Sequence, residues 1–302
     1  MNRRTTIALF VLVCAVFGTT FLAIRLGLVA GASPLFYAGT RFAAAGLILL
    51  AAQLIARRID FAAVRRLFAR TLLISLFLTA GTFGTMFWAE TRIDSGYMAR
   101  LDSLGPIVTA LFASIALGSR LGRYHLLGFG AGTVGIILLA SQVASAPQDM
   151  PALIVALVSV VTYAAGMVLY PKLFNRSDDP VTINALQMAL GGIVLLIVAP
   201  MFETVTLPAT ASALLPLIYL IVAGSIVGHT ANLVVIRNAG PIFASAWLYV
   251  APTVATVAGA IVLGETIGIK QVIGTLCALI GVFFVSRAER APERSEAATV
   301  AE

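Results

Sequence analysis

The sequence predicts an all-α integral membrane protein with ten transmembrane helices, arranged as two five-helix repeats of inverted topology. Three observations lead to this prediction: an apolar composition, a self-similarity at an offset of 146 residues, and an uneven placement of basic residues. Of the 302 residues, 60% are hydrophobic and 11% are charged, and the mean hydropathy is +1.01. A soluble domain carries about 25% charged residues. We therefore expect lipid to surround most of this chain.

Ten apolar runs have the length of about 20 residues that a helix needs to cross a bilayer. They are too continuously apolar for the strands of a membrane barrel, which alternate in character. The first five cover 7–29, 34–56, 71–90, 96–117 and 122–142, and the second five cover 151–171, 180–201, 212–234, 241–263 and 268–286. The first run has no cleavage-site pattern after it, so we interpret it as a retained helix.

The chain repeats itself without gaps at an offset of 146 residues. Pro106 recurs as Pro252, Gly128 as Gly274, and Pro34 as Pro180. Because each repeat has an odd number of spans, the second copy enters the membrane from the opposite face, which gives an inverted repeat about a pseudo-two-fold axis. We expect repeats at 1–146 and 147–288, followed by a disordered cytoplasmic tail at 289–302.

Basic residues accumulate on one side of the predicted membrane. Fifteen Lys and Arg residues fall in the loops and termini of one side, against Arg92 and Lys270 on the other. This bias places both termini in the cytoplasm. It also explains the net charge of +7 as a determinant of topology, so no nucleic-acid partner is expected.

Sequence motifs of soluble enzymes are absent. We find no phosphate-binding glycine loop, zinc-ligand spacing, nucleophile elbow or paired carboxylates. The two histidines, His125 and His229, are far apart, and Cys14 and Cys277 both lie in apolar spans. We expect no metal, no cofactor and no enzymatic activity.

Charged residues inside spans are costly and normally face a cavity or a partner. Arg41 lies in the second span, and either binds an anion beside a cavity or is a structural arginine bonded to backbone. Arg100 and Asp102 lie early in the fourth span, where they could contact a substrate carboxylate, an amine or a coupling proton, or could be hydrated at the interface. The repeat equivalents are Gln187, Ala246 and Leu248, so the charge is confined to the first half. Glu90, Arg92 and Asp94 are expected in a solvated outer loop.

Polar and aromatic side chains in the spans complete the predicted substrate cavity. His229 could carry a proton or donate to a substrate, although a packing role is also open. Trp and Tyr near span ends also serve as interface anchors, and this alternative is open for Trp88. Phe17 and Tyr163 are repeat equivalents and could face each other across the pseudo-two-fold axis. The remaining candidates are Thr20, Thr85, Asn232, Trp247 and Tyr249.

Two backbone features recur in both repeats. Pro106 and Pro252 each remove a helical hydrogen bond, and we predict hinges there, although a static packing kink is the open alternative. Gly128 and Gly132 in the fifth span recur as Gly274 and Ala278 in the tenth. Small residues four apart allow close helix packing, and we expect this seam to lie within the chain.

Several of these residues resemble motifs of the EamA branch of the drug/metabolite transporter superfamily. The similarity covers residues 7–286 and is carried by Phe17-Gly18-Thr19-Thr20-Phe21-Leu22-Ala23-Ile24-Arg25, Pro34, Arg41-Phe42, Ser95-Gly96-Tyr97-Met98-Ala99, Pro106 and Leu263-Gly264-Glu265. The chain departs from the family pattern at Phe17, where tryptophan is common, and at Arg100, where small residues are common. It also has Ser119 where the family usually carries the acidic residue that stands here at Glu265. The resemblance implies a ten-helix carrier of small metabolites in the bacterial inner membrane, without an ATP-binding domain.

Together, sequence and resemblance predict a secondary active or facilitative transporter of small metabolites. The favoured activity is export of amino acids or related amphipathic solutes by alternating access, by a monomer or homodimer in the lipid bilayer. Two alternatives remain at this stage: a membrane enzyme acting on a lipid-linked substrate, and a membrane scaffold or sensor without transport.

Overall fold

The computed structural model describes residues 3–93, 98, 101–140, 149–263 and 268–288. Across these residues the regular structure is entirely helical and comprises ten helices. They are α1 (Arg3–Val29), α2 (Pro34–Ile55), α3 (Phe61–Glu90), α4 (Gly105–Leu117), α5 (Arg123–Ala140), α6 (Met150–Leu173), α7 (Pro180–Phe202), α8 (Ala211–Ser245), α9 (Trp247–Leu263) and α10 (Ile269–Ala288). The all-helical prediction is confirmed.

Six of the described helices, namely α1, α2, α3, α6, α7 and α8, are long and apolar enough to cross a membrane. α4 and part of α10 are shorter apolar helices. α3 begins at Phe61, ten residues before the predicted span, because Asp60 caps its first turn by accepting from the Ala62 amide at 2.9 Å. The predicted start of the fourth span and the tail at 289–302 lie outside the described residues.

The first turns of α2 and α7 are built alike. Each begins with a proline, Pro34 or Pro180, whose fixed φ suits the first helical position. Asp179 caps α7 by accepting from the Thr182 amide at 2.9 Å. At the start of α2 this role falls to Glu203, which follows α7 and accepts from the amides of Leu35 and Phe36.

The two repeats meet through reciprocal contacts between equivalent helices. In the α2–α7 pair, a Cβ added at Gly46 would meet the backbone of Ala189, and one at Gly192, its equivalent, would meet the backbone of Ala43. Ala189 is the repeat equivalent of Ala43, so each contact becomes the other when the two repeats are exchanged. Such reciprocity is what a two-fold axis produces, and it supports the pseudo-two-fold relation between the repeats.

The α5–α10 pair shows the same reciprocity. A Cβ at Gly135 would lie 2.6 Å from the Ala278 amide nitrogen, and one at the equivalent Gly281 would lie 2.7 Å from that of Gly132. Both positions therefore require glycine for the helices to approach this closely. The small-residue seam predicted at Gly128 and Gly132 lies inside the chain, against α10.

Two helices contain π-helical stretches at matching repeat positions. α3 is α-helical over Phe61–Ser75 and Thr82–Glu90, with a π-helical stretch over Leu76–Gly81 between them. α8 has its π-helical stretch over Leu220–His229, which includes 222–227, the equivalent of 76–81. Such stretches are rare and occur often at functional sites.

The chain breaks its helical path at two further places. Gly240 has φ 81° and ψ 163°, a conformation that favours glycine, and it separates the main part of α8 from a short turn that leads into α9. Before α4, a turn at Ser103–Leu104 precedes Gly105. Pro106 therefore lies in the first turn of α4 and not inside a continuous span, whereas Pro252 lies inside α9.

Candidate substrate cavity

A cavity lies between the two repeats. Its lining is mostly apolar with a few polar side chains, as is usual for small-molecule sites. Its walls come from α1, α2, α3, α6, α8 and α9 and from the chain around the start of α4. The lining residues are Phe17, Thr20, Phe21, Ile24, Arg41, Thr82, Phe83, Met86, Asp102, Gly105, Ser159, Val160, Tyr163, His229, Trp247 and Leu248.

The cavity lies where repeat-equivalent residues meet. Phe83 and His229 are equivalents, and their ring centroids are 5.3 Å apart. Both residues stand at the π-helical stretches, one just after Gly81 and one at the end of Leu220–His229. Asp102 and Leu248, also equivalents, both line the cavity. The local helix geometry thus brings corresponding positions of α3 and α8 to the cavity from both repeats.

Arg41 is buried in the cavity wall, with 1% of its surface exposed. Its Nε donates to Ser225 Oγ at 3.0 Å, and its guanidinium carbon lies 4.5 Å from the Phe42 ring centroid and 5.3 Å from that of Phe83. These rings stabilise the cation by cation–π interaction. The buried Nη1 has no hydrogen-bond partner among the described residues, so one donor of this cation is free for a ligand.

The second repeat has the same hydrogen bond without the charge. Gln187, the equivalent of Arg41, donates through Nε2 to Thr79 Oγ1 at 3.1 Å, and Thr79 is the equivalent of Ser225. Gln187 is not among the residues that line the cavity. The charge asymmetry predicted from the sequence is therefore present within an otherwise symmetric pair of contacts.

His229 is enclosed by aromatic rings. Its ring centroid lies 5.0 Å from that of Phe17, 5.5 Å from Phe42 and 5.3 Å from Phe83. Its Nε2 is buried and has no hydrogen-bond partner within the described chain. His229 and Arg41 thus share Phe42 and Phe83 as neighbours, and each retains an unused polar nitrogen.

Trp247 joins the two halves of the aromatic wall. Its ring centroid is 4.7 Å from that of Phe17 and 6.3 Å from that of Tyr163, and its Nε1 donates to Tyr163 Oη at 2.7 Å. The equivalents Phe17 and Tyr163 therefore lie on either side of one indole. Asp102 interacts electrostatically with Tyr163 and with Glu90, which places a carboxylate on the same wall.

Not every predicted cavity residue lines this space. Trp88 lies under the Arg92 guanidinium, 4.4 Å from the ring centroid, and Tyr249 packs against Gly132 at the α5–α9 contact. Asn232 Nδ2 lies 4.0 Å from Met167 Sδ, and the Thr85 hydroxyl bonds back to the Thr82 carbonyl at 3.1 Å. Arg100 lies outside the described residues. The substrate roles of all the predicted residues stay predictions.

One expectation about the outer loop is wrong. Glu90 ends α3 and is 6% exposed, so it is not a solvated loop residue. Arg92 does lie at the surface, where it pairs with Asp149 at 3.1 Å. The difference arises because α3 continues through Glu90 and neighbouring helices pack around its last turn, in which Ala89 is also buried. Asp94, the third residue of this expectation, lies outside the described residues.

Several lining residues were missed from the sequence. Phe83, Met86, Ser159 and Val160 are apolar or small residues in apolar runs, and nothing in their residue types marks them. Phe83 could have been found as the repeat equivalent of His229. Over the described residues, no group of three or more His, Cys, Asp or Glu side chains could hold a metal ion.

The fold and cavity define a class: a multi-pass membrane protein with a mostly apolar cavity between two pseudo-symmetric halves. The model of the EamA-like transporter family matches the chain twice, over residues 4–141 and 150–287. The chain therefore belongs to the EamA-like transporter family. It is a small-molecule transporter of the inner membrane with multiple spanning helices. The predicted cytoplasmic position of its termini stays a prediction.

Curated relatives and a solved structure agree with this assignment. The chain is 31% identical over 255 residues to the "Uncharacterized inner membrane transporter YedA" of Escherichia coli strain K12, covering 83% of this chain and 81% of the relative. It is 26% identical over 204 residues to the "Probable terminal-alkyne amino-acid exporter" of Streptantibioticus cattleyicolor, covering 66% and 67%. A crystal structure covering 97% of this chain and 100% of its own superposes with a TM-score of 0.79 at 17% identity, which shows the fold.

Proposed function

We propose that the protein exports amphipathic solutes that carry a carboxylate, amino acids among them, by alternating access between the repeats at 1–146 and 147–288. The observation that carries this proposal is the free Nη1 of Arg41 in a mostly apolar cavity. A buried cation without an anion is costly. A substrate carboxylate would supply the missing partner through a charge-assisted hydrogen bond.

The rest of the cavity suits an apolar or amphipathic body. Phe17, Phe83 and Trp247 form an aromatic wall, and Met86 and Val160 add aliphatic surface. Such a wall binds by burying apolar area, while a few polar groups fix orientation. In this proposal Asp102 pairs with a substrate ammonium and His229 donates a hydrogen bond near Arg41. Together they would distinguish a zwitterion from a plain hydrocarbon.

Alternating access is supported by the positions at which the helices are interrupted. The π-helical stretches of α3 and α8 occur at equivalent positions, and both adjoin the cavity. Weakened helical ladders at the substrate site let each half change its tilt without unfolding. Pro252 lies inside α9 and removes a helical hydrogen bond, whereas Pro106 lies in the first turn of α4, where none is lost. We propose that Pro252 and the turn just before Pro106 act as hinges in this motion, with α1 and α6 lining the pathway.

The direction of transport rests on similarity. One relative is named as an amino-acid exporter, and we extend export to this chain on that basis. The proposal holds for a monomer and for a homodimer, because the residues that line the cavity all belong to one chain. Family membership and the transporter names of the relatives favour transport over the membrane-enzyme and scaffold alternatives.

Counterflow in proteoliposomes tests the function directly. Purified protein is reconstituted into vesicles loaded with unlabelled amino acids, and entry of the labelled amino acid is followed. We expect counterflow for apolar amino acids such as leucine, and less for leucinamide, which has the same side chain without a carboxylate. Folded protein that gives no counterflow across a broad amino-acid panel would refute the proposal.

A matched pair of variants localises the pathway. Ser159 lines the cavity and Ser114 lies on α4 away from it, and each hydroxyl donates to a backbone carbonyl three residues earlier. Ser159→Trp should fill the cavity and abolish counterflow, whereas Ser114→Trp should leave it near the wild-type rate. Equal rates for the two variants would show that solute does not pass through this cavity.

A further inference from the structure

Glu90 is a buried carboxyl group that does not line the central cavity and has no role in the proposed substrate site. It is the last residue of α3, 6% exposed, and both carboxyl oxygens are buried without a hydrogen-bond partner among the described residues. Buried polar groups are nearly always hydrogen-bonded, and an exception calls for a physical explanation. Glu203, on the loop after α7, shows the contrast, since its two oxygens accept from the Phe36 amide at 2.7 Å and the Leu35 amide at 3.0 Å.

Glu90 lies beside a second, more polar pocket at the ends of α1 and α3, which Arg25, Leu28, Val29 and Thr91 also line. The sequence predicts that these ends face the outside of the cell. Asp102, which interacts electrostatically with Glu90, lines the central cavity instead. The two carboxyl groups therefore adjoin two different spaces while they interact with each other.

The groups that face Glu90 can be assigned helix by helix. α1 contributes Arg25, α2 contributes Arg41, and the chain before α4 contributes Asp102. Neither α6 between Ala152 and Val160 nor α7 between Leu195 and Phe202 has a titratable side chain. Just after α3, Arg92 forms an ion pair with Asp149 and a cation–π contact with the Trp88 ring. No described Arg or Lys is within ion-pair distance of Glu90.

We propose that Glu90 is the proton-binding group through which an inward proton gradient drives solute export. In this proposal, which rests on the proposed transport function, a proton from the outer pocket binds one carboxylate oxygen of Glu90. It then passes to Asp102 and leaves through the central cavity on the cytoplasmic side, as one solute moves outward. No bond other than O–H is formed or broken.

Physical chemistry links this proton to conformation. An ionised carboxylate without partners costs several kcal/mol to bury, and a neutral carboxyl costs much less. Two carboxyl groups that interact electrostatically, as Glu90 and Asp102 do, also favour sharing one proton over both being ionised. In the observed arrangement Glu90 is best accommodated with its proton. Losing the proton requires water or Arg25 to reach the carboxylate, and either would need the ends of α1 and α3 to move.

The test separates exchange from gradient-driven transport. Glu90→Gln gives the side chain a neutral form that resembles the protonated state. Leucine counterflow at equal pH should therefore stay within about twofold of wild type. Leucine accumulation driven by an imposed pH gradient should fall at least about tenfold. Asp149→Asn is the control, since Asp149 is an exposed acidic residue near the same end of α3. It should keep both activities.

Infrared difference spectroscopy in membranes supplies a readout that needs no substrate. Wild type and Asp149→Asn should show a protonated-carboxyl band that disappears in Glu90→Gln. Gradient-driven accumulation that survives in Glu90→Gln, or equal loss of exchange and accumulation in folded protein, would overturn the proposal. Wild-type counterflow that ignores the pH gradient would do the same. Absence of wild-type counterflow would instead refute the transport function for leucine, and a missing wild-type carboxyl band would still overturn the proton site.

Discussion

Replacing Arg41 with glutamine would give the first repeat the side chain that the second repeat already has. Gln187 donates to Thr79 Oγ1 at 3.1 Å, as Arg41 Nε donates to Ser225 Oγ at 3.0 Å. A glutamine at position 41 can therefore keep the buried hydrogen bond while it removes the positive charge. We expect the fold to survive and the recognition of a carboxylate to be lost.

The size of the loss follows from the free guanidinium donor. Arg41 is 1% exposed, so a substrate carboxylate bound to it is shielded from water. Hydrogen bonds to charged groups contribute about 1.5–3 kcal/mol, and 1.4 kcal/mol corresponds to a factor of ten in affinity. In proteoliposome counterflow, the KM for leucine should therefore rise about 10- to 150-fold in Arg41→Gln. The KM for leucinamide, which lacks the carboxylate, should change little.

Gln187→Leu is the matched control for this experiment. It removes the equivalent hydrogen bond from a position that does not line the cavity. Hydrogen bonds between membrane helices contribute about 0.6 kcal/mol on average, with a maximum near 1.7. Gln187→Leu should lower the free energy of unfolding by that amount and leave the KM for leucine unchanged. If Arg41→Gln leaves the KM for leucine unaltered, or raises both KM values equally, the assignment of Arg41 to a carboxylate is refuted.

Two further predictions concern stability. Trp247→Phe removes the 2.7 Å hydrogen bond to Tyr163 Oη. The free energy of unfolding measured in detergent should fall by about 0.6–1.7 kcal/mol. An unchanged free energy of unfolding would show that this bond contributes nothing. Gly135→Ala places a Cβ 2.6 Å from the Ala278 backbone and should destabilise the protein by about 1–3 kcal/mol. Gly130→Ala, with no atom within 4 Å of the added Cβ, should be neutral or stabilising by about 0.5–1 kcal/mol, and equal effects of the two alanines would contradict the close α5–α10 approach.

The helix ends could be predicted well from the sequence where chemical signals mark them. Runs beginning at Pro34 and Pro180 gave starts that coincide with those of α2 and α7, because proline suits the first helical turn and the apolar length is set by the bilayer. The start of α3 was predicted ten residues late. Its first turns are rich in arginine, so hydropathy alone does not count them as part of the span.

The cavity could be predicted only in part. Arg41, Asp102 and His229 stand out because polar side chains are rare in apolar spans, and the structure places all three on one cavity wall. Phe83 was missed because an apolar ring in an apolar helix carries no signal about the face it occupies. Glu90 was misjudged because its position at a span end looks solvated, while the packing of neighbouring helices buries it.

The sequence by itself determined the number of membrane helices, the internal repeat and the confinement of charge to the first half. These properties are local or periodic, because bilayer thickness fixes the length of each apolar run and repeat equivalence is visible by offset alone. Only the tertiary structure decided which faces meet: the π-helical stretches that bring Phe83 against His229, the free donor of Arg41, and the enclosure of Glu90. In helices that are apolar on all sides, hydrophobicity does not select the inward face. Close packing between the two repeats makes that selection.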